Sequence, residues 1–364
     1  MRGTVWDWGG LGGGLYENGL KSIYTYKQHF MENTHYKALI IEQTGEKQYS
    51  RRIGEKKVSE LPAGEVIVKV AYSALNYKDA LSAAGNKGVT RNYPHTPGID
   101  ASGIVAETAD SRFAPGDEVV VTSYDLGMDT PGGFGQYIRV PAEWVVKMPA
   151  GLSLKESMVL GTAGFTVGMA VYKMSPYLKN EGEILVTGAS GGVGCMAVGI
   201  LSKLGYAVAA VTGKPEAHEF LRNAGASRII SREELLENSG KPVLKAQWAG
   251  VTDVVGGEML SAAIKGLKPG GVAAICGLVA SPEFQINVFP FILRGITVVG
   301  VDSERFPQPQ RTEIWNKLAD EWKPIALNNL YTEVSLDQLD AKIDEILKGK
   351  ITGRILVNME GEGV

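Results

Sequence analysis

Short apolar runs recur at strand spacing through the first part of the chain, as far as Pro149. They are rich in β-branched residues and alternate with turns such as Pro97-Gly98 and Pro115-Gly116. This spacing predicts a compact, mostly antiparallel, barrel-like domain. The predicted strands cover residues 39–41, 66–72, 104–106, 119–122, 137–140 and 145–148.

The rhythm changes after Ser153 to strand, glycine turn, helix and strand. Apolar residues recur at helical spacing from Val193 until Gly205, directly after a short buried strand. A second helix is predicted over 215–224, with Gly225 after its end. Alternating strands and helices of this kind predict a doubly wound parallel α/β sheet. Its six predicted strands cover residues 184–186, 207–211, 229–230, 251–255, 272–276 and 296–301.

The two ends of the chain have a different character from its middle. Residues 1–30 mix glycines and aromatic residues without periodicity, which predicts a leader with Met31 as the natural start; a flexible native arm is the alternative. An amphipathic helix over 336–347 and a strand over 355–357 are predicted to complete the first domain. The predicted domains are therefore a barrel domain, residues 31–153 and 304–364, and a Rossmann domain, residues 154–303.

Composition narrows the classes of function. The chain has 364 residues, 44% hydrophobic and 21% charged, which is enough for two cores. With 37 basic and 40 acidic side chains and no block of like charge, nucleic acid is a poor candidate partner. No apolar run approaches the roughly 20 residues that span a bilayer. Cys195 and Cys276 lie far apart in apolar segments, so we expect free thiols and a cytoplasmic location.

A glycine-rich turn, Thr187-Gly188-Ala189-Ser190-Gly191-Gly192-Val193-Gly194, joins the first strand of the second domain to its helix. Glycines allow the tight turn, and the helix N-terminus attracts the charge of a pyrophosphate. The hydroxyl of Ser190 adds a donor. The strand–turn–helix context favours dinucleotide binding over the alternative, glycines required only for packing.

The second strand of this domain ends at Thr212, Gly213 and Lys214, where a carboxylate would hold the ribose 2′-hydroxyl of NAD. No carboxylate stands there. Lys214 and Arg232 can instead offer charge to a 2′-phosphate, which favours NADPH over NADH. The alternative is that both are ordinary solvated side chains.

Metal ligands are scarce in the predicted barrel domain. Two-domain zinc dehydrogenases carry Cys or His ligands there, and this chain has no cysteine before Cys195. None of the four histidines pairs with another at a ligand spacing. We therefore expect neither a catalytic nor a structural zinc. The four are His29, His35, His95 and His218.

Five motifs in order carry a family resemblance from about Tyr36 to Met359. They are Asn76-Tyr77-Lys78-Asp79, Pro97-Gly98-Ile99-Asp100, Gly161-Thr162-Ala163-Gly164-Phe165-Thr166, residues 187–194, and Pro290-Phe291-Ile292-Leu293-Arg294 with Gly300-Val301-Asp302-Ser303. The chain resembles the zinc-free medium-chain dehydrogenase/reductase family, and within it the YhdH/YhfP subgroup of quinone oxidoreductase-like proteins and acryloyl-CoA reductase.

The resemblance implies a GroES-like barrel, a Rossmann domain, NADP(H) and a homodimer. It implies cofactor contacts at Tyr77, Ser190, Gly191, Gly192, Val193, Thr212, Gly213, Lys214, Arg232, Leu278, Ile292 and Ser303. Two departures weaken parts of this set. Gly349 and Lys350 stand where relatives often have an Asn, and Lys214 replaces a residue that is often Arg, which loses bidentate phosphate geometry.

The proposed substrate is a small activated alkene such as a 2-enoyl thioester, which receives a hydride at its β-carbon. Its carbonyl oxygen then gathers negative charge and needs a donor. Tyr77 and Asn76 are the predicted catalytic donors, because they follow the strand at 66–72 at the expected mouth of the barrel. Tyr77 has packing against the nicotinamide as its alternative role.

The neighbouring charged and aromatic residues receive more modest roles. Asp79 is predicted to cap a helix or to hold Lys78, and Asp100 to fix its loop. Lys87 and Arg91 could meet the phosphates of coenzyme A, but solvated loop charge is the favoured interpretation. Gly164-Phe165-Thr166 is predicted to begin a helix at the domain junction, with Phe165 packing on the hinge side and a substrate platform as its alternative role.

Two other functions stay open at this point. A quinone oxidoreductase belongs to the same chemical class and shares the cofactor site. A catalytically silent dinucleotide-binding scaffold belongs to a different class, although the glycine turn and the Tyr77 segment are intact.

Overall fold

The structure is a computed structural model that describes residues 33–178 and 182–361. The leader predicted for residues 1–30 lies outside the described residues. Within them the strands form a two-stranded sheet, a six-stranded sheet and a seven-stranded sheet. The fold class predicted from the sequence, a GroES-like barrel with a doubly wound Rossmann sheet, is confirmed.

The barrel-like part begins with an antiparallel hairpin and continues in a mixed sheet. In the central strand, Val66, Val68 and Val70 alternate inward and are fully buried, as the period of two requires. Its elements are β1 (His35–Gly45), β2 (Gln48–Lys57), β3 (Val66–Leu75), α1 (Tyr77–Ala83), β4 (Asp100–Thr108), β5 (Glu118–Thr122), β6 (Tyr137–Val140) and β7 (Val145–Lys147).

Strand β2 was not predicted from the sequence. Its ten residues, QYSRRIGEKK, carry few apolar side chains, so they give no strand signal of their own. They form a strand because each residue pairs with the apolar β1, from His35 opposite Lys57 onward.

The second part is a six-stranded parallel sheet in the order β10-β9-β8-β11-β12-β13. The order reverses between β8 and β11, where ligands bind outside the carboxyl ends of the strands. Its elements are β8 (Glu183–Val186), α3 (Gly192–Lys203), β9 (Ala207–Val211), α4 (His218–Ala224), β10 (Arg228–Ile230), α5 (Arg232–Leu236), β11 (Trp248–Asp253), α6 (Gly257–Lys265), β12 (Leu267–Ile275), α7 (Phe289–Arg294) and β13 (Thr297–Gly300).

Two helices, α2 (Leu154–Met174) and α8 (Gln308–Ala319), pack against each other between the sheets. The buried ring of Phe165 stacks on Trp315 with centroids 6.0 Å apart, as its predicted packing role requires. A capping box at Ser153 starts α2, and Gly161 leaves helical geometry, so α2 is two helices joined at a kink. The helix predicted to start at 164–166 corresponds to the second of these, which follows Gly161.

The tail of the chain returns to the seven-stranded sheet. Strand β15 (Arg354–Asn358) pairs antiparallel with β3, and β14 (Tyr331–Ser335) pairs with β15. Helix α9 (Leu339–Leu347) packs its buried Leu339 and Ile343 into the barrel core. The exact domain boundaries given above stay a prediction.

No helix in residues 33–178 or 182–361 is both long and apolar enough to cross a bilayer.

Gly161 provides a test of this packing. Its φ is +51°, and a Cβ there would lie 2.5 Å from Asp100 Oδ2 and 2.8 Å from Arg354 Nη2. Gly205 has a φ of +86° with nothing within 4 Å of its Cβ position, so Gly205→Ala is the matched control. We expect Gly205→Ala to lower the free energy of unfolding by about 1–2 kcal/mol. Gly161→Ala should cost roughly 1–3 kcal/mol more, because it also overpacks a buried site. Urea denaturation measures the free energy of unfolding of both variants. Equal losses would show that the atoms around Gly161 move to accommodate the added methyl group.

Candidate cofactor and active site

The glycine turn between β8 and α3 is tightly packed at Gly194 and has free space at Gly191. A Cβ on Gly194 would lie 2.2 Å from the carbonyl oxygen of Gly188, so helix and turn pack without room for a side chain. At Gly191, the N-cap of α3, the nearest atom to a Cβ is 3.5 Å away. The N-terminus of α3, with Gly192 and Val193 in its first turn, therefore begins beside free space at Gly191, which is compatible with a pyrophosphate site.

A buried carboxyl group fixes the switch point of the sheet. Asp253, at the end of β11, accepts hydrogen bonds from Thr187 Oγ1 at 2.6 Å and from the Gly256 amide at 2.8 Å. The Val254 amide donates to Thr187 Oγ1 in turn, at 3.1 Å. Burial raises the pKa of Asp253. The ends of β8 and β11 are thus held together beneath the glycine turn.

The residues predicted to select the cofactor lie together. Thr212 Oγ1 donates to Ser190 Oγ at 3.1 Å, which links the end of β9 to the glycine turn. A Cβ on Gly213 would lie 2.8 Å from Arg232 Nε, so the guanidinium lies against that turn. Lys214 Nζ donates to the Ile351 carbonyl at 2.7 Å, and burial lowers its pKa.

Lys214 thus connects the cofactor turn to the tail. Ile351 follows Gly349 and Lys350, the residues that replace the Asn often found in relatives. The two departures noted in the sequence therefore occur at one place in the fold.

The remaining predicted contacts are spread more widely. Leu278 and Ser303 follow β12 and β13 at the carboxyl edge of the sheet, and Leu278 is 65% exposed. Ile292 lies on α7 and is 69% exposed. Two residues later, Arg294 donates to the carbonyls of Lys265 and of Leu267, the first residue of β12, at the opposite edge. The structure therefore does not bring Ile292 to the glycine turn, and its role stays a prediction from the resemblance.

Tyr77 is the first residue of α1, at the junction of the two sheets. It is 38% exposed, so part of its surface is accessible to a ligand. The helix starts here because Asn76 and Asp79 form a capping box.

The side chain of Asn76, predicted to donate to the substrate, forms its hydrogen bonds within the protein. Its side-chain nitrogen has two N–H groups and three nearby acceptors: Asp100 Oδ2 at 2.8 Å, the Ala74 carbonyl at 3.2 Å and Asp79 Oδ2 at 3.3 Å. Its oxygen accepts from Arg354 Nη1 at 3.0 Å. The donor role predicted for Asn76 conflicts with these contacts, because no N–H is left for a substrate.

Arg354, the first residue of β15, was missed in the sequence. It is 3% exposed; Nε donates to the Val159 carbonyl at 3.1 Å, and Nη2 lies 3.6 Å from Asp100 Oδ2. A Cβ on Gly192 would lie 3.1 Å from Nη1, so the guanidinium is directly behind the first turn of α3. A single arginine ahead of the apolar run Ile-Leu-Val was the available signal of a buried charge.

Asp100 fixes its surroundings, as predicted. Its Oδ1 accepts from the amide of Thr162 at 2.9 Å and from its hydroxyl at 2.6 Å. Burial raises the pKa of this carboxyl, and Arg354 opposes the shift.

Asp79 caps α1, as one of its two predicted roles required. Its carboxyl accepts the amides of Asn76 at 2.8 Å, Ile99 at 2.8 Å and Gly98 at 3.2 Å. The other predicted role, holding Lys78, was wrong: Lys78 Nζ pairs with Glu304 Oε2 at 2.9 Å instead. Burial raises the pKa of Asp79 to about 7.

Lys87 contacts two residues of its own loop, Arg91 and Tyr93. The Lys87 ammonium lies 4.5 Å from the ring centroid of Tyr93 and donates to the Arg91 carbonyl at 2.9 Å. These contacts support the more modest interpretation of Lys87 over a coenzyme A contact.

Metal-ligating side chains do not cluster in the described ranges, where no three His, Cys, Asp or Glu residues are placed to hold one ion. His95 is buried, and its Nε2 lies 2.9 Å from the Gly127 carbonyl oxygen.

A barrel joined to a parallel sheet with an open glycine turn at its switch point defines a two-domain, dinucleotide-binding oxidoreductase. Residues 62–150 match the alcohol dehydrogenase GroES-like domain, and residues 192–320 match the family described as zinc-binding dehydrogenase. The chain belongs to the medium-chain dehydrogenase/reductase family, with the YhdH and YhfP proteins.

Three relatives show the extent of the similarity. "Putative quinone oxidoreductase YhfP" of Bacillus subtilis is 43% identical over 82% of this chain and 92% of its own. Acrylyl-CoA reductase AcuI of Ruegeria pomeroyi is 39% identical over 89% and 99%. The crystal structure of YhdH from Salmonella enterica with NADP has a TM-score of 0.85 at 40% identity, over 88% and 99%. That of YhfP with NAD has a TM-score of 0.87 at 41% identity, over 90% and 100%.

The buried carboxyl of Asp79 predicts a pH dependence of stability. Its folded pKa of about 7 lies above the ordinary value of 3.8. Its contribution is therefore complete below pH 3.8 and is lost as the pH rises through about 7. We expect Asp79→Asn to flatten the fall in the free energy of unfolding between pH 5 and pH 8. The exposed control Asp337→Asn should keep the wild-type slope, and an unchanged slope in Asp79→Asn would contradict the assignment.

Proposed function

We propose that the protein is an NADPH-dependent, zinc-independent reductase that transfers a hydride to a small activated alkene such as an acryloyl-CoA-like 2-enoyl thioester. The observation that carries this proposal is the shared location of three features. A hydrogen bond between Thr212 and Ser190 joins the turn after β9 to the glycine turn. Tyr77 directly follows Asn76, which bonds to Arg354 behind the first turn of α3.

The cofactor assignment is supported by charge. No carboxylate stands in the three positions directly after β9, Thr212 to Lys214, whereas Lys214 and Arg232 flank the turn where a 2′-phosphate would lie. Bound NADPH would supply the hydride and its electron pair. The chain's own groups hold the cofactor: the first turn of α3 receives the pyrophosphate, and the Asp253 contacts keep the turn in place.

The acceptor assignment is supported by the exposed Tyr77, whose hydroxyl can donate to the oxygen of an acceptor as charge develops. The name of the AcuI relative favours an enoyl thioester. The name of YhfP favours a quinone, which is the second candidate function. A catalytically silent scaffold is the alternative from another class.

We further propose that two copies assemble as a cytoplasmic homodimer. The segment before β13 exposes Val288, Phe289, Ile292 and Leu293, and β13 is the open edge strand of its sheet. A second copy of the same strand would cover both the edge and this apolar segment.

Turnover with two acceptors tests the proposed function. We expect the wild type to oxidise NADPH, followed at 340 nm, with acryloyl-CoA faster than with 1,4-benzoquinone. Tyr77→Phe should lower kcat with acryloyl-CoA by about 100-fold, because it removes one donor to the developing oxyanion. The control Tyr177→Phe alters a comparably exposed tyrosine that follows the C-terminal end of α2, just before β8 enters the Rossmann sheet, and it should leave kcat unchanged.

Each other outcome selects a different function. Turnover with the quinone alone, indifferent to Tyr77→Phe, would leave a quinone reductase. Tight NADPH binding without turnover on either acceptor would support the scaffold.

Arg232→Ala tests the cofactor assignment. We expect the Kd for NADPH to rise about 10-fold, because a charged contact to phosphate is lost, while the Kd for NADH stays unchanged. Fluorescence titration of each nucleotide measures both constants. Arg222→Ala, which removes an exposed charge on α4, is the matched control. Equal weakening of both nucleotides would show that Arg232 does not read the 2′-phosphate.

A further inference from the structure

One ion pair crosses from α1 to the segment that follows β13. Lys78 Nζ lies 2.9 Å from Glu304 Oε2, although the residues are 226 positions apart in the sequence. The two side chains are 38% and 28% exposed, so the pair is partly shielded but still open to a ligand. Nothing in the sequence pattern predicted it.

Both partners of the ion pair are chain neighbours of proposed cofactor contacts. Lys78 directly follows Tyr77, and Glu304 directly follows Ser303. Both segments meet where the carboxyl edge of the Rossmann sheet faces the barrel, which is where doubly wound folds bind their ligands. The ammonium of Lys78 is therefore a cation beside the proposed reacting groups.

The main chain of Glu304 is fixed. Its carbonyl accepts the Tyr124 amide at 3.1 Å and Arg311 Nη2 at 3.3 Å, and its amide donates to Asp302 Oδ1 at 2.9 Å. Arg311 is itself fully buried, with its guanidinium 4.5 Å from the ring centroid of Tyr124. The carboxylate consequently holds Lys78 from a rigid support.

The loop that supports Glu304 is strained. Ser123 and Tyr124 both have positive φ, +68° and +52°, without being glycine. Two contacts hold this conformation: the Ser123 amide donates to the Ile99 carbonyl at 2.9 Å, and the Tyr124 ring stacks on Trp144 at 5.4 Å. Strain of this kind persists only where the surroundings enforce it, and it concentrates at ligand sites.

Lys78 has donor capacity to spare. An ammonium carries three N–H groups, and Glu304 takes one. Its other contact is Met128 Sδ at 3.8 Å, and a thioether is a weak acceptor. A strong donor is thus left over while the ion pair stays intact.

We propose that Lys78 is a catalytic residue that donates a hydrogen bond to the acceptor's oxygen, with Glu304 as its positioning residue. This proposal rests on the proposed function. As the β-carbon of an enoyl thioester receives the hydride, the C=C electron pair moves toward the carbonyl, and the charge reaches the oxygen. Lys78 and Tyr77 together stabilise that oxyanion. A proton from water then completes the α-carbon, which leaves a saturated thioester and the oxidised nucleotide.

The experiment compares Lys78→Met, Lys78→Arg and Glu304→Gln with the control Lys87→Met, another barrel lysine held by a ring and a carbonyl. Steady-state kinetics use acryloyl-CoA and 1,4-benzoquinone, whose oxygens both gather charge. NADPH fluorescence gives the cofactor Kd, and thermal unfolding gives the Tm. We expect Lys78→Met to lower kcat about 100-fold with every acceptor that the wild type uses, while the NADPH Kd and the Tm stay unchanged.

The other two variants separate charge from position. Lys78→Arg should recover part of the lost kcat, because it keeps a charged donor. Glu304→Gln should lower kcat by a smaller factor, because the ammonium stays but loses its fixed partner. These two variants also test the proposal if Lys78→Met does not fold.

Three results would overturn the proposal. A rise in KM for acryloyl-CoA alone, at constant kcat, would make Lys78 a phosphate contact. A parallel loss of kcat, Tm and NADPH affinity would show that the ion pair only stabilises the structure. A wild type inert toward both acceptors would remove the proposed function and this role together. A wild type active only on the quinone, with kcat lost in Lys78→Met, would instead reject the thioester but keep the role of Lys78.

Discussion

One buried arginine joins the cofactor turn, the barrel and the long helix α2. Arg354 lies 3.6 Å from the carboxylate of Asp100, behind the first turn of α3, and donates to the Val159 carbonyl of α2. A charge without water needs a paired charge and hydrogen bonds, and losing one partner costs about 3–5 kcal/mol. The cofactor turn, the barrel strand β3 and the kinked helix α2 are therefore constrained to meet at this group.

This constraint explains why two residues of the Tyr77 segment are structural. Asn76 bridges Asp100 and Arg354, and Asp79 caps α1 from a fully buried position. Because their polar groups are satisfied internally, the start of α1 is fixed by buried contacts. Tyr77 and Lys78, the residues proposed to act on the acceptor, lie in this first turn and stay partly exposed.

The geometry of the two sheets determines which residues each contributes to the candidate site. Parallel strands end at one edge, so Thr187, Thr212, Asp253 and Ser303 gather there although they are far apart in sequence. The barrel contributes one short helix and a strained loop to the same junction. In the proposed mechanism a substrate held there would contact both parts, with the hydride donor bound by one domain and the oxyanion donors supplied by the other.

The sequence by itself determined the elements with strong periodicity and the glycine turn between β8 and α3, because these depend on local spacing and backbone freedom. It could not predict β2, whose polar residues form a strand only through β1. Nor could it show that the Asn76 side chain forms its hydrogen bonds with buried charged groups, or that Lys78 pairs with Glu304 rather than Asp79. Those contacts join residues far apart in the chain, and only packing decides which polar groups lose water and must find partners there.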